Sequence, residues 1–196
     1  FFNNEALKAA MQYALDNNRA LHLMGLISDG GVHSSNKHVY ALCDMATSEG
    51  VNNVFVHGFT DGRDVDPKSG LGYVQELQAY LKNTTAKIAS LCGRYYAMDR
   101  DKRWERVKKA YDLFVSGSEN KSASASLAVA QSYVNGVTDE FIEPIQIDGN
   151  YQGIEENDVV ICFNFRTDRC REITEVLSQK DFPEFGMKHL NLHYTT

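Results

Sequence analysis

At 196 residues the chain has room for one large domain or two small ones, and its 43% hydrophobic and 23% charged content is that of an ordinary globular protein. A net charge of −6 argues against general attraction to nucleic acid or anionic membrane, while leaving room for a small anion in a local basic pocket. No apolar stretch approaches the roughly 20 residues of a membrane span, and the first residues lack a basic, apolar leader pattern.

Helix-like and strand-like segments alternate along the chain. Residues 5–17 carry the spacing of a helix and residues 21–27 the apolar run of a buried strand. Residues 37–48 are helix-like and stop at Gly50; residues 54–59 form the next strand and 72–81 the next helix. A third strand is expected over 87–91 and a helix over 103–115. Residues 117–126, rich in Ser, Gly, Lys and Asn, are expected as a loop leading into a helix over 127–133. A further strand over 159–163, a helix over 167–177 and a last strand over 190–194 complete the series. Such alternation predicts a single α/β domain over residues 1–196, a three-layer sandwich in which helices flank a mainly parallel sheet.

The four cysteines are widely separated and form no C-x-x-C pair, so free thiols in a reducing, cytoplasmic compartment are expected. His22, His38, His57, His189 and His193 show no metal-ligand spacing, and no metal site is expected in this chain. His57, within a strand, reads as structural. No G-x-G-x-x-G follows any predicted strand, which argues against a dinucleotide-binding domain.

The arginines are more informative. Eight of nine fall in three short segments: Arg63; Arg94, Arg100, Arg103 and Arg106; and Arg166, Arg169 and Arg171. A guanidinium presents a planar fork that matches carboxylate and phosphate, whereas the scattered lysines are point charges. Arg63, Arg94 and Arg166 each follow a predicted strand, as does the turn carrying His33. Ligands of open parallel sheets bind beyond the carboxyl ends of the strands, so these loops are expected to share one crevice. Within helices, Arg103, Arg106 and Arg171 read as ordinary solvated or ion-paired residues. Asp64, among basic groups, either balances charge or accepts a substrate hydroxyl proton. Asp61 is expected to support the Gly62 turn, and Asp168 to neutralise Arg166 or Arg169.

The segments LMGLISDGGVHS, HGFTDGRDVDPKSGLGY, GRYYAMDRDKRWERV, TDEFIEP and FNFRTDR resemble the substrate-binding, or transferase, domain of cofactor-independent phosphoglycerate mutases. The resemblance implies that His33, Arg63, Asp64, Arg94, Arg100, Arg166 and Arg169 hold 3-phosphoglycerate or 2-phosphoglycerate, with Asp64 helping to move the hydroxyl proton. It further implies a phosphoserine intermediate on a phosphatase domain outside this chain, carrying two manganese ions. Ser35 stands where the family often has a second histidine. The absence of an initial Met agrees with the expectation that the chain is a piece of a longer polypeptide, inactive alone. A different reading stays open: a stand-alone binding module for a small phosphorylated carboxylic acid.

Overall fold

The computed structural model describes residues 1–196, the whole chain. Six strands form one sheet: β1 (Leu21–Ile27), β2 (Val54–Thr60), β3 (Ala86–Gly93), β4 (Ile145–Gln146), β5 (Val159–Cys162) and β6 (His193–Thr195). Their order is β4-β3-β2-β1-β5-β6. All pairings are parallel except the short antiparallel β4 edge. Every residue of β1 is buried, as a parallel strand covered on both faces requires.

Alternate side chains of each strand feed two cores. Leu21, Leu23, Val54, Val56, Val159 and Ile161 join one core of 28 buried residues. Over it lie α1 (Glu5–Asp16), α2 (Asn36–Glu49), α3 (Gly70–Leu81) and α6 (Ala125–Val134). Met24, Leu26, Phe59, Val160 and Cys162 join a second core of 21 residues. That core packs under α4 (Arg94–Ala97), α5 (Trp104–Ser116) and α7 (Arg171–Ser178). The outcome is the expected three-layer α/β sandwich, and no helix in it is long and apolar enough to cross a membrane.

Several boundaries shift for identifiable reasons. Helix α3 starts at Gly70, because Asp139 Oδ2 accepts the Gly70 N–H at 2.7 Å and caps an earlier turn. Residues 167–170 stay outside α7, since Phe165 N–H donates to the His33 carbonyl at 2.9 Å and pins the preceding loop to another segment. Strand β6 begins only at His193, because Leu190 and Asn191 N–H groups are taken by Leu177 O at 2.8 Å and Glu156 Oε2 at 2.7 Å. Helix α6 begins at Ala125, inside the expected loop, where the Ser124 hydroxyl accepts the Leu127 N–H at 3.2 Å.

Across the sheet runs a buried polar chain. Asp158 Oδ2 lies 3.2 Å from His22 Nε2, His22 Nδ1 lies 3.0 Å from His57 Nε2, and His57 Nδ1 lies 2.7 Å from Ser90 Oγ. A carboxylate only accepts, so each imidazole donates toward Asp158 and the Ser90 hydroxyl donates to His57. Burial and the neighbouring His22 hold His57 well below the usual imidazole range. His57 is therefore a neutral, structural member of the second core.

Candidate functional site

Strands β1, β2, β3 and β5 run parallel, so the segments that follow them emerge along one edge of the sheet. Two glycines let a fifth segment join them. Gly62 has φ +65°, in the left-handed region, and a Cβ there would lie 2.9 Å from the Asp139 Cβ and the Glu140 N. At Gly93 a Cβ would overlap the Glu140 carbonyl, and the Gly93 N–H donates to Ile142 O at 2.7 Å. The 3-10 turn Asp139–Phe141 thus seats against the ends of β2 and β3 and presents Glu140 and Phe141 to the site.

Arg94, the first residue of α4, anchors the centre. Its side chain is 2% exposed, and its Nη1 lies 2.6 Å from both Asp61 Oδ1 and Asp64 Oδ2. Burial works against this charge, but the hydrogen bonds to Asp64 and Asp61 outweigh it and raise the arginine further above its ordinary value. Asp61 is equally fixed. Its Oδ1 accepts the N–H groups of Arg63 and Asp64 at 3.2 and 3.0 Å, which builds the turn, and its Oδ2 accepts the Ser28 hydroxyl at 2.7 Å. Burial alone would raise this carboxyl; the Asp64 N–H, Ser28 and Arg94 together hold it below the usual carboxylate range.

His33 stands behind Arg94, with Nε2 at 3.1 Å from Nη2. A guanidinium can only donate, so Nε2 accepts and the ring proton sits on Nδ1. Burial first, and then Arg94, lower the imidazole below its ordinary value, so His33 is neutral. Its side chain is 3% exposed, which leaves it no open path to solvent in this state.

In front of Arg94 opens a cleft of about 370 Å³, lined by Arg63, Arg94, Arg100, Arg103, Arg106 and Arg169. Six arginines there face three carboxylates, Asp99, Asp101 and Glu140. Part of this charge is committed: Arg63 Nη1 pairs with Glu140 Oε1 at 3.3 Å, and Arg106 lies 3.8 Å from the Tyr95 ring centre and 3.5 Å from Asp99 Oδ1. Arg169 donates only to the Met98 carbonyl, at 3.3 Å. Burial, followed by repulsion from Arg94, Arg100 and Arg63, lowers its pKa from the ordinary arginine value. The cleft is therefore a preformed positive field with unspent guanidinium donors, suited to a small polyanion.

Arg166 lies outside this lining. It pairs with Asp168 at 3.1 Å, and the same carboxylate accepts from Arg100 at 2.9 Å. The structure thus brings Arg63, Arg94, Arg100 and Arg169 to one cleft, with Asp64 directly on Arg94. It sets His33 behind them and Arg166 beside them. Glu140, Phe141 and the central position of Asp168 had no strong signal in sequence. Arg103 and Arg106, which read as surface charges, face the cleft. No group of three His, Cys, Asp or Glu side chains is gathered to hold a metal ion.

Residues 1–196 match the family described as BPG-independent PGAM N-terminus. The chain is 57% identical over 196 residues to the 2,3-bisphosphoglycerate-independent phosphoglycerate mutase of Flavobacterium psychrophilum, covering 98% of this chain and 39% of that protein. It is 54% identical over 185 residues to the enzyme of the same description from Bacteroides thetaiotaomicron, covering 94% of this chain and 36% of the relative. Among solved structures, phosphoglycerate mutase of Leishmania mexicana at low cobalt concentration superposes with a TM-score of 0.87 and 31% identity, over 98% of this chain and 38% of that one. The chain therefore spans well under half the length of these relatives.

Proposed function

This chain belongs to the BPG-independent PGAM N-terminus family, and on that premise we propose that its arginine cleft holds phosphoglycerate for a mutase that interconverts 3-phosphoglycerate and 2-phosphoglycerate. The observation that carries this reading is the convergence of six guanidinium groups on one cleft of about 370 Å³ at the carboxyl edge of the sheet. A phosphoglycerate carries a phosphate at one end and a carboxylate at the other, and planar forks suit both.

In this reading Arg63, Arg100 and Arg169 clamp the anionic ends, and Arg94 fixes the floor. Arg166, half exposed beside the cleft, reaches the ligand from its rim. Asp64 is the acceptor for the hydroxyl proton: its side chain is 20% exposed, and its Oδ2 lies 2.6 Å from Arg94, at the boundary of cleft and core. His33 Nε2 accepts from Arg94 Nη2 at 3.1 Å and so helps fix the guanidinium that holds this carboxylate. The serine that takes up the phosphoryl group, and two manganese ions that neutralise its charge, lie in the remainder of the longer polypeptide. The clamp keeps the glycerate in place while the phosphoryl group is away, which separates a mutase from a phosphatase. The four cysteines, all free and buried, support a cytoplasmic setting.

The test compares full-length polypeptide with residues 1–196 alone. The full-length protein is expected to interconvert the two phosphoglycerates and to lose most of that rate with R63A. Residues 1–196 are expected to bind 3-phosphoglycerate, to ignore glycerol, and to show no turnover. Binding without turnover in the full-length protein would instead favour a binding module for phosphorylated carboxylic acids.

A further inference from the structure

We propose that Asp168 is an internal counter-anion, which holds Arg100 and Arg166 in the ligand-free protein and passes to the Nδ1 proton of His33 when phosphoglycerate takes those arginines. The inference rests on the functional reading above and names the residue that gates the same site.

Three groups compete for this one carboxylate. Arg100 Nη1 donates to Oδ2 at 2.9 Å, and Arg166 Nε lies 3.1 Å from Oδ1. His33 Nδ1 lies 3.8 Å from Oδ1, just beyond hydrogen-bond reach. The Arg166 contact is an ion pair out of line for a hydrogen bond, so Asp168 Oδ1 is buried without a hydrogen-bond partner, and His33 Nδ1 is buried in the same condition. A donor and an acceptor, each unsatisfied and each costly while unpaired, therefore face one another across a short gap. The direction of the missing bond is already set. Arg94 occupies His33 Nε2, so the proton is on Nδ1 and points at Asp168.

The two arginines keep the gap open, and both are positioned to leave. Arg100 is 46% exposed and Arg166 is 51% exposed, so water screens their pairing with Asp168 and weakens it. Arg100 also lines the cleft that the ligand enters. A phosphate arriving there offers the guanidinium groups a more highly charged partner than the Asp168 carboxylate. The carboxylate they release has one donor nearby, His33 Nδ1–H. That bond makes Nε2 a stronger acceptor for Arg94, which in turn touches Asp64. Occupancy of the rim arginines is thereby reported to the proposed proton acceptor through Asp168, His33 and Arg94.

The test uses full-length polypeptide, with 3-phosphoglycerate as the probe. In the wild type, the His33 ring N–H resonance is expected to shift on ligand addition as the bond to Asp168 forms; this measurement needs no variant. D168N is expected to bind 3-phosphoglycerate about fivefold more tightly, because the arginines no longer share their charge with an internal anion. Its kcat is expected to fall, because His33 loses its charged partner, a split between KM and kcat that a merely structural defect would not produce. A wild type that fails to bind the probe overturns the functional reading and this inference with it. A wild type that binds, with an unmoved His33 resonance or with D168N no tighter, overturns this inference alone.

Discussion

Arg94 Nη1 lies 2.6 Å from Asp64 Oδ2, with the guanidinium fully buried and the carboxylate at the edge of the cleft. The same nitrogen lies 2.6 Å from Asp61 Oδ1, so removing Arg94 strands one deeply buried anion and one partly buried one. R94A is expected to lower stability by about 3–5 kcal/mol, the usual consequence of breaking a buried pair by one partner. Urea denaturation reads this directly. D64N leaves the Asp61 pair intact and is expected to cost clearly less, so equal losses for the two variants would contradict the arrangement.

Arg169 lines the cleft without a carboxylate partner, donating only to the Met98 carbonyl. R169A is expected to weaken 3-phosphoglycerate binding by about tenfold or more, in line with a hydrogen bond between charged groups, while the thermal midpoint stays near that of the wild type. R169K should recover only part of the affinity, since an ammonium cannot reproduce the planar fork. Calorimetric titration of the three proteins decides this, and an unchanged Kd for R169A removes Arg169 from the ligand set.

The Gly93 position tests how the site is assembled. A Cβ there overlaps the Glu140 carbonyl, so G93A is expected to push the 139–142 segment off the sheet edge, lowering both the thermal midpoint and ligand affinity. Gly72 is the matched contrast. It lies within α3 with open space where a Cβ would go, and G72A should stabilise the protein by roughly 0.5–1 kcal/mol. If G93A leaves the midpoint unchanged or raises it, the close approach at Gly93 is not what holds the segment.

Glu172 gives the chain a specific pH response. Burial first, with Asp99 and Asp101 adding to it, pushes its carboxyl up to about 7, against the Lys102 N–H bond that favours the anion. A carboxyl whose pKa rises on folding takes up a proton as the chain folds. Its contribution to stability is complete below the unfolded value of about 4.3 and is lost as pH rises through about 7. Thermal midpoints of the wild type are expected to fall from pH 5 to pH 8 relative to those of E172Q, which keeps an acceptor for Lys102 but cannot ionise. Parallel curves for the two proteins would show that Glu172 does not titrate in this range.

Much of the sheet was legible because its strands are apolar at nearly every position and end at glycine, asparagine or charged turns. The arginine loops were legible for a related reason: parallel strands send their following loops to one edge. Short elements were not. Helix α4 spans four residues and β4 only two, too few for any periodicity to register. The exchange of partners around Asp168 was also hidden, since Arg100, His33 and Arg166 are neighbours only after three separate loops have met. Arg103 is exposed and Arg106 is paired with Asp99, as their reading allows, but that both also border the cleft was not legible. Helical spacing tells which residues share a face, but not whether that face borders solvent or a cleft.

The line of Asp158, His22, His57 and Ser90 also acts as a lock on alignment. Each member comes from a different segment, and each bond is possible only when β1, β2, β3 and the turn before β5 are all in step. A slip of one residue in any strand would rotate an imidazole to the opposite core and leave its former partners unsatisfied in an apolar layer. Neighbouring valines and leucines would tolerate such a slip far better, because one aliphatic side chain replaces another at little cost. The polar line therefore rejects misaligned sheets that hydrophobic packing alone would admit, and so keeps the arginine-bearing loops level with one another at the edge.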